Sequence, residues 1–315
     1  MTIAVGAPYH LPPEKEKLLR KAQRVAWASL AALATIMIVI ALTMGTSEAM
    51  KAIWVEDALS LAPSLAFLVG AHYRDKKPDE SFPYGYRRAV LIGFLAGAVT
   101  LFGFGVYLFG DSMLKLLAGD RPSIPSATIF GKRVWMGWVM IAALLYSVVP
   151  PVVLGHMKQP LARDLHDKAL QTSAMLDKGD WLSGIAGVLG IIGIAYGWWW
   201  ADSAAAAFIS IEIVKDGFGE LSNSIAQLMN KRPSDVESKE PDPIVDELQE
   251  ALRRLDWVAD VRVRLREDGD VVTGEAFVAP RDERDLLRKL EEATKVANGF
   301  EWRLHDVNVV PVRQL

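Results

Sequence analysis

Five side chains able to ligate a cation sit inside apolar stretches long enough to cross a bilayer. Glu56, Asp57 and Ser60 lie within Ala49–His72, and Asp177 and Asp180 within Ala169–Tyr196. A charged Asp at mid-bilayer costs roughly 2.5–3.5 kcal/mol on insertion scales. Four acids together cost on the order of 10 kcal/mol unless they are protonated, paired or bound to a cation. Glu56 and Ser60 are spaced i,i+4 and Asp177 and Asp180 i,i+3, so each pair shares a helix face. Two such faces meeting make an oxygen-rich cage. Pro63 removes a backbone hydrogen bond and is expected to kink its helix beside that cage. The competing account has Lys178 pair with one of the acids and Asp57 stand in interfacial water. Paired acids on two separate stretches favour a polar substrate path.

The elements that carry these residues follow from hydropathy. Six stretches qualify as spans: Val25–Met44, Ala49–His72, Ala89–Leu117, Val134–Met157, Ala169–Tyr196 and Trp199–Phe218. The last two are weakened by Asp177, Lys178 and Asp180 and by Asp202 and Glu212. Basic residues gather before span one, after spans two, four and six, and around Arg87-Arg88, with Lys158, Arg163 and Lys168 in the loop after span four. The opposite side holds Lys51, Lys115, Arg121, Lys132 and Arg133. The positive-inside rule places both termini in the cytoplasm and Trp198–Trp200 at the outer interface. A net charge of −3 speaks against a nucleic-acid binder, and the lack of cysteine excludes disulfides, thiolate metal sites and a Cys nucleophile.

Residues 231–315 differ in kind, carrying nearly half of all the charges. Lys231–Asp242 reads as a linker with two prolines, Pro233 and Pro241. Ile244, Leu248, Leu252 and Leu255 recur at helical spacing, and Val261–Arg266 alternates as a half-buried strand. Asp268-Gly269 is a turn, Val271–Val278 a second strand, Leu286–Val296 a helix and Glu301–Val312 a last strand. The order αββαβ suggests a small sheet with both helices on one face, with no phosphate loop and no catalytic triad. The expected architecture is an all-α six-helix transmembrane domain plus a C-terminal α+β ferredoxin-like (αββαβ) cytoplasmic domain. Its parts are a cytoplasmic segment at 1–23, the transmembrane domain at 24–220, a linker at 221–242 and the tail at 243–315.

This organisation, with Pro78-Asp-Glu-Ser-Phe-Pro-Tyr-Gly-Tyr86 after span two, Trp198-Trp-Trp-Ala-Asp202 opening span six and Leu228-Met-Asn-Lys-Arg-Pro233 after it, resembles the cation diffusion facilitator family. Members are homodimeric exporters of divalent transition metals that usually exchange metal for protons. Their transport site takes a His or Asp plus an Asp four residues on from span two, and the same from span five. Carried over without gaps, those positions fall on Glu56 and Ser60 and on Leu176 and Asp180. Glu56 and Asp180 rank first as metal ligands. Asp177 is displaced by one and reaches the same cage only if span five turns or unwinds near Gly179. Ser60 offers a neutral oxygen, and Asp57 is expected to face away.

The family's peripheral histidines are replaced by Phe82 and Tyr86, leaving Asp79. The tail keeps only His305 where zinc-type members have several ligands. Arg88 and Asn230 stand where the family has a Lys–Asp pair, so that ion pair is absent as such. His156 and His166 are expected at the cytoplasmic interface. The resemblance implies an inner-membrane, homodimeric divalent-cation exporter with protons as counter-ion, the lipid bilayer as its surroundings, no enzyme activity and no cofactor. The all-oxygen set leaves Mn, Fe, Co, Zn and Mg undistinguished, with a tilt towards harder ions. The alternative is a family member that does not transport and acts as a heterodimer partner or regulatory scaffold.

Overall fold

The computed structural model describes residues 11–315 except 74–75, 77–78, 87, 121–123, 130–131, 237–239 and 270. Arg74, Lys77, Arg87 and Arg121 of the charge asymmetry, and Pro78 of the loop motif, lie outside the described residues.

Six long helices form the body: α1 (Pro13–Thr43), α2 (Glu48–Tyr73), α3 (Ala89–Ala118), α4 (Met136–Leu165), α5 (Lys168–Ala195) and α6 (Ala201–Leu228). The first five are long and apolar enough to cross a membrane. The sixth has the length, at 28 residues, but carries Asp202, Glu212, Lys215, Asp216 and Glu220. The body is not purely helical. Between α3 and α4, β1 (Ser126–Ile129) pairs antiparallel with β2 (Lys132–Trp135), a departure from the all-α domain expected.

Two helices outrun their apolar stretches. The fourth continues through Pro150, Pro151 and Pro160 to Leu165 rather than ending at Met157. Neighbouring helices satisfy the backbone that a proline frees, so such breaks are tolerated in packed membrane helices. The sixth runs to Leu228 rather than Phe218, its polar last turns held against the start of α3 by Arg88 Nη2 on Asn230 Oδ1 at 2.7 Å.

Lipid is as apolar as leucine, so shape rather than hydrophobicity drives helix association in a membrane. Close α3–α6 packing needs small residues. A Cβ on Gly217 would lie 2.6 Å from the backbone nitrogen of Phe102.

The buried side chains of α1, α2, α4 and α5 sort into three strata. One apolar stratum holds Ile36, Ile40, Met50, Ile53, Met140, Leu144 and Ile191, joined by Ile209 and Ile213 of α6. Another holds Ala22, Val25, Phe67, Leu161, Leu165 and Leu170. Between them along every one of the four helices come polar residues: Ser29, Asp57, Ser60, Ser64, Lys158, Ser173, Asp177 and Asp180, all buried.

The tail runs α7 (Ile244–Arg253), β3 (Val258–Asp268), β4 (Val271–Pro280), α8 (Leu286–Gly299) and β5 (Leu304–Pro311). The sheet order is β3-β4-β5, with β3 and β4 antiparallel and β4 and β5 parallel. A parallel pair needs a crossover, which α8 supplies. Val261, Val263 and Leu265 point inward with Ala276 and Val278, and both helices cover them with Leu248, Leu252, Ala293 and Ala297. Gly274 is required where it stands, since its φ is +156° and a Cβ would meet Arg264 O at 2.1 Å.

Candidate functional site

The polar stratum is built around a lysine. Lys158 lies within α4, not in the loop after it, and its side chain is wholly buried. Its Nζ donates to Asp177 Oδ2, Ser29 Oγ and Ser173 Oγ, each at 2.7 Å, and to Ser64 Oγ at 3.2 Å. Ser64 and Ser173 are also 2.7 Å apart. One ammonium thereby ties together α1, α2, α4 and α5. Pairing of an acid with a lysine does occur, but through Lys158. Lys178 donates instead to Gln159 Oε1 at 2.7 Å.

Next to this node lie the other acids. Asp57 is 3% exposed, so it faces inward rather than away. On α2 the buried positions 50, 53, 57, 60, 64, 67 and 71 form one stripe, and residue 57 falls on it. Asp177 and Asp180, 0% and 9% exposed, both face the interior from an uninterrupted α5, without unwinding at Gly179. The charges of Asp57, Glu56 and Asp177 reach Asp180, and those of Glu212 and Asp216 reach Glu56. Glu56 is half-buried and accepts from Ser183 Oγ at 2.9 Å. Ser60 turns its hydroxyl onto Glu56 O at 3.0 Å, a bond within its own helix.

One oxygen each of Asp57, Asp177 and Asp180 is buried with no hydrogen-bond partner. Buried polar atoms left in this way are rare and call for an explanation, of which an ion or a water is one. Among the described residues, no three His, Cys, Asp or Glu side chains converge closely enough to hold a metal ion. The stratum is an acidic layer in which an internal ammonium binds one carboxylate, and one oxygen on each of three acids is left without a partner.

Asp202 positions the helix that carries Glu56 and Asp57. A helix start leaves backbone N–H groups without partners, which inside a membrane is severe. At the start of α2, Asp202 Oδ2 accepts from Glu48 N at 2.6 Å, and Asp202 Oδ1 accepts from Ala49 N at 3.3 Å and from Ser47 Oγ at 2.7 Å. Ser47 Oγ accepts from Met50 N at 3.2 Å, and Ser47 O from Lys51 N. All four N–H groups are satisfied, two of them by a carboxylate from α6. The adjoining Trp198 and Trp200 stack with ring centroids 6.0 Å apart.

In the loop after α2, local bonding takes up Asp79. Asp79 accepts from the Tyr86 hydroxyl and from the N–H groups of Phe82 and Ser81. The Tyr86 bond, with these N–H groups and nearby Lys76, holds its carboxyl below the usual range. Lys76 lies 3.6 Å from the Tyr86 ring centroid. His156 is exposed and bonds to Val152 O in its own helix. His166 caps α4 and packs edge-on against Trp302 of the tail. Arg88 keeps its counterpart as a hydrogen bond to Asn230, and its ion pair goes to Asp268 of the tail, Nε to Oδ1 at 3.0 Å.

Residues 25–229 match the cation efflux transmembrane domain. The chain belongs to the cation efflux, or cation diffusion facilitator, family. This family member is 26% identical over 275 residues to the manganese efflux system protein MneP of Bacillus subtilis, covering 85% of this chain and 86% of that protein. It is 25% identical over 201 residues to the magnetosome protein MamB of a Magnetospira species, covering 64% and 62%. It is 27% identical over 187 residues to the metal cation efflux system protein CzcD of Cupriavidus metallidurans, covering 58% and 53%. As a member of this family, with five apolar helices, the chain is a multi-pass membrane protein of the metal-cation efflux class.

Of the residues singled out in the sequence, Asp57, Asp177 and Asp180 meet in the buried stratum, Glu56 borders it, and Ser60 lies in it but bonds within its helix. Lys158, Ser29, Ser64 and Ser173 were missed. Their signal was present: on α4 the positions 140, 144, 147, 151, 155, 158 and 162 continue one buried stripe past the prolines.

Proposed function

We propose that the protein exports a divalent cation across the inner membrane through the acidic stratum, with protons as the counter-ion. The observation that carries this reading is the pair of unpartnered, buried carboxylate oxygens on Asp57 and Asp180, on facing helices. Uncompensated acids in a low-dielectric layer attract a cation. Oxygen-only donors suit hard ions such as Mn²⁺ or Mg²⁺ better than thiophilic ones. The relative named a manganese efflux system protein supports placing Mn²⁺ first. Glu56, Asp57 and Asp180 face the ion, and Glu212 and Asp216 extend negative charge from Glu56 along α6 towards its C-terminal end. Carboxylates that release a cation can accept protons in its place, which is a route to antiport.

In this reading α6 spans the membrane with the other five helices. Both termini, the linker and the αββαβ tail, taken as ferredoxin-like, are cytoplasmic, and two copies pair. A second reading, a non-transporting partner or scaffold, draws on the absence among the described residues of a converged ligand cluster. Uptake of Mn²⁺, Fe²⁺, Co²⁺, Zn²⁺ and Mg²⁺ into proteoliposomes, with and without a pH gradient, separates the two. Transport of one ion, accelerated by an opposing proton gradient, is the expected result. No flux with any of the five refutes the transport reading.

A further inference from the structure

Lys158 carries a full ammonium into the centre of a membrane domain, and each partner in hydrogen-bond reach is an oxygen. Ser29 of α1, Ser64 of α2 and Ser173 and Asp177 of α5 take up its donors, and the charge of Asp180 reaches it as well. A cation held by four oxygens is what a metal ion in this stratum would be, except that this one is covalently tethered. The ammonium has three protons, so the short bonds to Asp177, Ser29 and Ser173 satisfy it. The acids divide accordingly. Asp177 is paired at 2.7 Å through Oδ2, with both side chains 0% exposed, and keeps Oδ1 without a partner, whereas Asp57 and Asp180 form no ion pair among the described residues.

We propose that Lys158 is a specificity-determining residue: a built-in cation that cancels the charge of Asp177 and leaves Asp57, Asp180 and Glu56 as the acids a transported ion meets. This rests on the transport reading above. The internal ion pair sets how strongly the chamber holds a divalent ion, keeping it weak enough to release. A charge bound too tightly is not delivered.

The test is Mn²⁺ binding to the full-length protein in detergent, measured calorimetrically. Lys158→Gln frees Asp177, so Mn²⁺ should bind at least about tenfold more tightly than to the unsubstituted protein. A role in packing alone cannot produce such a gain. Lys158→Arg should restore the original affinity, because it restores the charge. The double variant Lys158→Gln/Asp177→Asn removes both charges and leaves no buried ion unpaired; its affinity should stay within about threefold of the original. Unchanged or weaker binding by Lys158→Gln overturns the proposal. Loss of binding in the double variant also overturns it, since Asp177 would then be a ligand. If Lys158→Gln does not fold, the double variant decides alone. If the unsubstituted protein binds no Mn²⁺, the transport reading fails and this inference falls with it. Normal binding that is insensitive to Lys158 removes only the inference.

Discussion

Asp202→Ala should destabilise the protein without touching a side chain of the acidic stratum. Asp202 is fully buried and accepts three hydrogen bonds, two from the first backbone N–H groups of α2 and one from Ser47. Alanine leaves both N–H groups without a protein partner. An unsatisfied buried donor costs about 1–3 kcal/mol, and loss of a helix cap about 1 kcal/mol. Partial rescue of the half-buried Glu48 end by water brings the expected loss to about 3 kcal/mol. Ser47→Ala removes the 2.7 Å bond to Asp202 and the bond from Met50 N, and should cost about 1–2 kcal/mol. The two losses should add to more than the double variant shows, because both side chains serve one cap. SDS-driven unfolding in mixed micelles, followed by tryptophan emission, measures all three. A loss below about 1 kcal/mol for Asp202→Ala, or strict additivity with Ser47→Ala, refutes the capping argument.

Asp57→Asn and Asp180→Asn should each abolish proteoliposome transport while leaving expression near normal. The burial of Asp57 makes its substitution as damaging as that of Asp180, and transport at the original rate by both variants would make the stratum structural. Glu56→Gln should reduce flux less than either, since Glu56 already has Ser183 as a partner. Leu252→Ala, at a fully buried position in the tail core, should cost about 2–5 kcal/mol and appear as a lowered unfolding midpoint of the tail.

Lowering the pH should loosen the junction between body and tail. Burial, then the nearby Arg303 guanidinium, holds the His166 imidazole below its ordinary range, against weaker opposing pulls from Glu301 and Asp242. A depressed pKa contributes stability that is present above the unfolded value of 6.5 and is lost as pH falls through the folded one. Lower hydrogen-exchange protection factors around Trp302, corrected for the intrinsic fall of exchange rate with pH, below pH 6.5 than at pH 7.5 are the expected signature, and His166→Gln should remove the difference.

Much of the architecture follows from periodicity. Helical stripes and the strict alternation of Val261–Arg266 place α7, β3 and β4 almost where they stand, because burial on one face is what those patterns encode. The site was legible in composition and less so in orientation. Acids inside apolar stretches mark the stratum, but ranking Glu56 over Asp57 follows a linear correspondence, whereas the α2 stripe puts residue 57 inside. Lys158 was hidden by hydropathy, which drops after Met157 and so reads as a span ending. Only packing against the hydroxyls of three other helices makes an ammonium tolerable there, and such long-range pairing is invisible to a window. Asp202 was visible as part of a motif, but its role as a cap for a helix about 150 residues earlier depends on the tertiary fold.

One junction constrains how the body can move. Glu267 and Asp268 are neighbours at the end of β3, yet their partners belong to different parts of the body. Glu267 holds Lys168 at the start of α5, at 2.7 Å to each oxygen. Asp268 holds Arg88 at the start of α3, which also grips Asn230 just beyond α6. The α3–α6 pair and the bundle that encloses the acids are therefore fastened to a span shorter than one helical turn. If those two units rock against each other during transport, this two-residue bracket is sheared, and one clasp must open on each stroke. The tail then acts as a friction brake whose grip is ionic, and its drag should fade as salt rises while the buried Lys158–Asp177 pair, shielded from solvent, holds firm.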